Sequence, residues 1–263
     1  MGRHSIITRD EILRAVRIFR YVTRFVLLLF FAGGKRRIKA LERLLPALER
    51  EGLLLVDWHK GEKVYWVARE NKGKPVSIAH EIACALILVL FWRCRMAEGE
   101  IVPERKFRGF GIVPEAGLRY SKERGTMLLF ELCRRVNFKH GGVMKSKITR
   151  YIKYLPLMEK KFGRRITVLF VLDIERSEVK AFVKRLEKLI GEVGFPDYDG
   201  MEEREDGSVA DGASALYEGD RFPLDPFFFT DFETLKSVPV GQALKAEIYF
   251  WHDGNEWRLS NDD

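Results

Sequence analysis

Apolar residues recur at helical spacing through the first fifty residues and then switch to strand-like runs. Ile12, Val16 and Phe19 line one helical face behind Thr8, which precedes Asp10 and Glu11 and predicts a capped start. Thr23 is placed to cap a second helix carrying Phe25, Val26, Leu29 and Phe30, and Gly33-Gly34 breaks the chain after it. Ile38, Leu41, Leu44, Leu45 and Leu48 make one face of a third helix, closed by Gly52. Pro46 inside that helix predicts a kink or a local boundary. "LLLVDWHKGEKVYWVA" then reads as a hairpin turning at Lys60-Gly61-Glu62. Residues 69–77 are polar, contain Gly73 and Pro75, and predict a boundary between a domain at 1–72 and another at 76–263.

Beyond that boundary, "SIAHEIACALILVLFWRCRM" is almost continuously apolar and reads as a buried helix of the second domain. "EIVPERKFRG" is a strand or its connection, and "FGIVPEAGLRY" and "GTMLLFELCRR" are strand-like. "KSKITRYIKYLPLMEKKFG" predicts a helix with a basic face, "ITVLFVLD" a buried strand, and "SEVKAFVKRLEKLIGEVG" an amphipathic helix. The expected class is α/β (α+β overall), with helices on the faces of a central mixed sheet. An acidic loop is expected at about 196–225. "FFFTDFETL" and a hairpin turning at His252-Asp253-Gly254-Asn255 resume strand patterning and complete the second domain.

Charge changes this picture. The chain has 263 residues and a formal net charge of +8. Residues 1–75 hold 17 Lys+Arg against 8 Asp+Glu, and residues 76–195 hold 24 against 13. Residues 196–263 reverse the balance, with 5 against 17. A basic front and middle point to an anionic partner, nucleic acid before a membrane surface. Cys84, Cys94 and Cys133 form no CxxC pair, which argues against zinc and disulfides and for reduced thiols in the cytoplasm. The apolar runs "FVLLLFFAGG" and "IACALILVLFW" are about half the length of a membrane span.

Three helices followed by a two-stranded wing make a winged helix-turn-helix, whose third helix enters the major groove of double-stranded DNA. Lys35, Arg36, Arg37, Lys39 and Arg43 cluster at the start of that helix or on its outer face, and Lys60 and Lys63 lie on the wing. The plainer alternative is a solvated basic face on a domain that binds protein.

The second domain places two acids on adjacent strand-like runs: Glu115 after "GIVP" and Glu131 in "LLFELC". Carboxylates converging from neighbouring strands can hold Mg²⁺ or Mn²⁺, which activates a nucleophile for phosphodiester cleavage. A lysine, Lys145 or Lys147, can stabilise the developing anion. The alternative is that Glu131 pairs with Arg134, Arg135 or Lys147 as a structural residue. His80 either flanks a metal or makes local hydrogen bonds. Tyr21, Tyr151 and Tyr154 are either strand-transfer nucleophiles or packing residues.

"VPEAG" followed by "LLFELC" resembles the acid pattern of PD-(D/E)xK nucleases, with Cys133 where the lysine stands. With a basic winged helix, a helix opening "AHE" and Lys147-x-x-x-Tyr151, the chain resembles the replication-relaxation family of plasmid proteins over roughly residues 8–175. That family is similar to mobilisation relaxases with a restriction-endonuclease-like fold. The resemblance implies catalytic roles for Glu115, Glu131, Lys147 and Tyr151, and metal ligation by Glu115, Glu131 and Glu81. Members carry Asp where Glu115 stands and a second acid where Cys133 stands; a thiol is a poor Mg²⁺ ligand. The expected function is DNA binding in replication or mobilisation of a plasmid or mobile element, alongside other replication or mobilisation proteins. The alternatives are an active metal-dependent nicking relaxase or endonuclease, and a transcriptional or assembly factor whose nuclease-like domain binds protein.

Overall fold

The computed structural model describes residues 7–31, 35–67, 77–92, 94, 100–102, 106–112, 114–119, 126–135, 142–186, 188, 202–203, 209–210 and 226–259. The chain forms two compact units, Met1–Arg95 and Met96–Asp263.

The first unit runs α1 (Arg9–Phe19), β1 (Val22–Thr23), α2 (Arg24–Phe31), α3 (Lys35–Arg50), β2 (Leu54–His59), β3 (Glu62–Val67) and α4 (Ile78–Trp92). Thr8 caps α1 in a full capping box: its hydroxyl accepts from the Glu11 N–H, and the Glu11 carboxylate accepts from the Thr8 N–H. The Thr23 hydroxyl accepts from the Val26 N–H at 3.3 Å at the start of α2. The break expected at Gly33-Gly34 lies outside the described residues. α3 continues without interruption through Pro46, which sits on its exposed side. Gly52, at φ 69°, ends it: the Leu53 N–H reaches the Leu48 carbonyl at 3.0 Å. Lys60 and Gly61 both take positive φ, which closes the β2–β3 hairpin with the twist adjacent strands require. The antiparallel sheet has the order β1-β3-β2.

The sequence places α4 in the second domain, but α4 packs with α1, α2 and β1, and the first unit extends to Arg95. Ile78 and Ile82 rest against Tyr21 and Trp66, and the Trp92 ring lies 6.0 Å from Phe30. A nearly all-apolar helix shows that it is buried but not against what, which is why the sequence left its neighbours open.

The second unit is built on a seven-stranded mixed sheet, β12-β11-β10-β7-β6-β5-β4. Its strands are β4 (Glu100–Val102), β5 (Ala116–Arg119), β6 (Thr126–Cys133), β7 (Arg165–Leu172), β10 (Phe227–Asp231), β11 (Tyr249–Phe250) and β12 (Glu256–Trp257). β4, β5 and β6 form an antiparallel meander; β6, β7 and β10 are parallel. Parallel neighbours need crossovers, and α5 (Gly142–Phe162) and α6 (Arg176–Val183) lie in them. Both helices share one core with the sheet: Ile148, Ile152, Leu155, Val179 and Phe182 meet Leu129, Phe170 and Phe229. A short α7 (Phe232–Ser237) follows β10, capped by Asp231. Within the expected acidic loop, β8 (Glu202–Glu203) pairs with β9 (Val209–Ala210); all of its other residues lie outside the described ones. Among the described residues no helix is long and apolar enough to cross a membrane.

Candidate functional site

Two places collect the residues singled out by the sequence, one in each unit. In the first unit, Lys35, Lys39 and Arg43 recur at i, i+4 and i+8 on α3, with Arg36 beside them, and all four are exposed. Ala40, Leu41, Leu45 and Leu48 bury the other side of the helix. Arg37 faces elsewhere: its guanidinium donates to the Phe31 carbonyl at the end of α2, which makes it a tie between helices. Arg24 pairs with Glu42 at 2.5 Å across the surface of the same two helices.

On the hairpin, Lys60 is exposed at the turn. Lys63 is held twice, by Glu49 at 2.9 Å and over the Trp58 ring at 5.8 Å. Trp58 itself is 63% exposed, the most exposed large apolar side chain described. The sequence reading passed over it because strand alternation puts it on the face of Leu54, which is buried. The available signal was its place one residue from the turn.

Tyr21 is buried and packs on Trp66 at 5.7 Å, so it is a packing residue. Burial, and then the charge of Glu81, raise its hydroxyl above the usual tyrosine range. His80 and Glu81 lie half-buried near the start of α4, where the His80 Nε2 is 3.6 Å from the Cys84 sulfur.

In the second unit, β6 carries Glu131 and Cys133 on the face that meets α5. Lys147 and Tyr151 are one turn apart on α5 and reach the same carboxylate: Lys147 Nζ donates to Oε2, and the Tyr151 hydroxyl donates to Oε1 at 2.5 Å. Of the partners foreseen for Glu131, the structure selects Lys147; Arg135 instead lies 3.7 Å from Glu178. Glu131 and Tyr151 are fully buried, whereas Lys147 keeps 30% of its side chain exposed. Glu115 immediately precedes β5, half-buried, and its N–H donates to the Phe130 carbonyl at 3.0 Å. Tyr154 is half-buried beneath the Lys153 ammonium, 5.3 Å from its ring centre.

The electrostatics follow from depth. Burial raises the Glu131 carboxyl above its usual range; Lys147 and Tyr151 pull it back, and Glu115 pushes it up again. Burial alone would lower Lys147, but Glu131, Cys133 and Glu115 outweigh it and leave the ammonium above the usual lysine value. Burial and the Glu131 charge hold the Tyr151 hydroxyl well above its usual value. Burial pushes the Cys133 thiol up to about 12, so it is a neutral core group at physiological pH.

Glu131 and Cys133 as placed do not fit as ligands of Mg²⁺ or Mn²⁺. Both carboxylate oxygens of Glu131 already accept strong hydrogen bonds, and the residue has no solvent-facing side through which a hydrated ion could reach it. Cys133 supplies neither an oxygen nor a thiolate. Tyr151, sealed and committed as a donor, presents no hydroxyl to a phosphodiester. What the arrangement does chemically is hold a carboxylate, an ammonium and a phenol in mutual satisfaction between a strand and the helix crossing it. No protein-family model, curated protein or solved structure matches the chain.

Proposed function

We propose that the chain is a binding protein for double-stranded DNA, with α3 as its recognition helix and the β2–β3 hairpin as its wing. The observation that carries the reading is the exposed row Lys35, Arg36, Lys39 and Arg43 on a helix whose opposite side is core. The order helix, strand, helix, helix, hairpin, with the first strand joined to the hairpin's second, supports a winged helix-turn-helix. In the second unit, an antiparallel meander followed by a parallel strand across a helix, with Glu115 just before β5 and Glu131 on the adjacent β6, supports a nuclease-like fold. The closed state of Glu131 favours a nuclease-like domain that serves as scaffold rather than one that cuts. The resemblance to replication-relaxation proteins makes plasmid replication or mobilisation the setting we favour.

The test is duplex binding as a function of salt. Lys35→Ala, Arg36→Ala and Lys39→Ala together reduce the log–log salt slope by about 2.7 if each contacts a phosphate. An unchanged slope in a folded variant removes α3 as the contact. Incubation of supercoiled plasmid with Mg²⁺ or Mn²⁺ leaves it unnicked on this reading; nicking that Glu131→Ala abolishes would reinstate the enzyme.

A further inference from the structure

The sheet of the second unit has two ends, and the sequence-predicted site occupies only one of them. Glu115, Glu131, Cys133 and the start of α5 gather at one. At the other, antiparallel pairing sets Arg119, the last residue of β5, opposite Met127, and parallel pairing sets Arg165, the first residue of β7, beside Thr126. α5 runs back along the sheet and delivers Lys160 and Lys161 to this same end in its last turn. Gly163, at φ 61°, closes the helix there: the Arg164 N–H reaches the Glu159 carbonyl at 3.1 Å, and Arg164 leads directly into β7.

Aromatic rings hold two of these cations. The Arg119 guanidinium lies 5.8 Å from the centre of the Phe162 ring, and the Lys161 ammonium 4.9 Å from that of Phe110. Phe162 in turn stands 5.3 Å from Phe107 and 6.4 Å from Phe110, which makes one aromatic floor beneath them. Lys160, Lys161 and Arg165 are exposed, and Arg119 and Arg164 are half-buried. The helix dipole accounts for cations in the last turn of α5. It does not account for Arg119 on β5 or for Arg165 on β7. Glu159, in the last turns of α5, accepts from the Ile166 N–H at 2.7 Å through one carboxylate oxygen.

We propose that this end of the second unit is a second nucleic-acid surface, one that grips the phosphodiester backbone and does not read bases. Cations supplied by three elements, two of them laid on rings, suit phosphates spaced along a strand. Phe107 and Phe110 are buried and offer no stacking face to a base, and the half-buried Phe162 ring carries the Arg119 guanidinium. An anionic membrane fits less well. The exposed large apolar residues described in this unit are Val143 at the start of α5, Val240 after α7 and Trp257 on β12, and none stands at this end to insert into lipid. The proposal goes beyond the reading of α3 and is tested separately from it.

The experiment uses the full chain in four forms: wild type, Lys35→Ala/Arg36→Ala/Lys39→Ala, Lys160→Ala/Lys161→Ala/Arg165→Ala, and all six changes together. Folding is checked by circular dichroism and melting, and binding to a labelled duplex is titrated across salt concentrations. The α3 variant is expected to keep residual, salt-dependent binding, which the six-fold variant loses. Replacing Lys160 and Lys161 with Arg, in place of Ala, is expected to retain it. If the α3 variant loses all binding, or if the six-fold variant still binds as the α3 variant does, the second surface is overturned. It is overturned equally if the wild type binds phosphatidylserine vesicles more tightly than duplex and the changes at 160, 161 and 165 abolish that vesicle binding. If the α3 variant binds like wild type and the 160/161/165 variant does not, the reading of α3 fails while this one stands.

Discussion

The α3 face and the Glu131 cluster both gather charged residues, and depth makes them opposites. Lys35, Arg36, Lys39 and Arg43 stand in water, where each charge is solvated and screened and little of the fold depends on it. Glu131 is removed from water and Lys147 largely so, and each needs the other. The first arrangement is free to exchange solvent and counterions for phosphates. The second has spent its hydrogen-bonding capacity inside the protein. A pattern of acids, a lysine and a tyrosine is therefore not by itself a reactive site; the accessible surface of the carboxylate decides.

The comparison is broken most forcefully at Glu131. Glu131→Ala strands a mostly buried ammonium and a buried phenol, and unfolding in urea should show a loss of about 3–5 kcal/mol. The triple change Glu131→Leu, Lys147→Met and Tyr151→Phe removes all three polar groups at once and should recover most of that loss, because an apolar replacement of a buried pair is close to neutral. A triple variant as unstable as Glu131→Ala would mean that the cluster does more than satisfy itself. Cys133→Asp comes next: it places an unpaired carboxyl in the same core face, and we expect destabilisation of several kcal/mol that millimolar Mn²⁺ does not repair. Stabilisation of this variant by Mn²⁺ would show that the position accepts a metal ligand. Tyr151→Phe should cost about 1–3 kcal/mol, through the Glu131 oxygen left without its donor.

The pH dependence separates the two regions further. Lys147 is held above its unfolded value of 10.5, so its contribution is present below that pH and is lost as pH rises through the higher folded value. Tyr151 lies well above 10.0 when folded, so the unfolded chain ionises first and stability falls above that pH. Wild-type stability should thus decline from about pH 10 upward, and the Glu131→Leu/Lys147→Met/Tyr151→Phe variant should decline less steeply. Equal slopes for the two proteins would place the alkaline loss elsewhere. The smallest effect belongs to the basic face: Lys35→Ala, Arg36→Ala and Lys39→Ala should each shift stability by no more than about 0.5 kcal/mol. Breaking the exposed Arg24–Glu42 pair with Arg24→Ala should cost about 0.2–1 kcal/mol.

Much of the local structure was legible in the residues because local physics sets it. The Thr8 cap, the Thr23 cap, the Gly52 and Lys60-Gly61 turns and the period of α3 each depend on residues a few positions apart. The mixed sheet followed from alternating strands and helices. The fate of α4 was not legible, because uniform apolarity names no partner. The exposed row on α3 was visible as periodicity, but the diversion of Arg37 to the Phe31 carbonyl was not, since it depends on where α2 ends.

The sequence alone thus determined most of the helices and strands, though not β1 or the helical turn α7 that ends the strand-like "FFFTDFETL". It also determined where charge accumulates, and which acids, lysines and tyrosines share a strand or a helical face. Tertiary structure alone decided which of those groups are buried together and which stay at the surface. Glu131 lies sixteen residues from Lys147 and twenty from Tyr151, and only the β6–α5 packing closes them on one carboxylate and removes it from water. Arg119, Lys161 and Arg165 are likewise scattered along the chain, and only the antiparallel and parallel pairings of β5, β6 and β7 bring their elements to one end of the sheet. Identity and spacing are one-dimensional properties; desolvation and convergence are three-dimensional, and they separate a buried tie from a surface that can meet a partner.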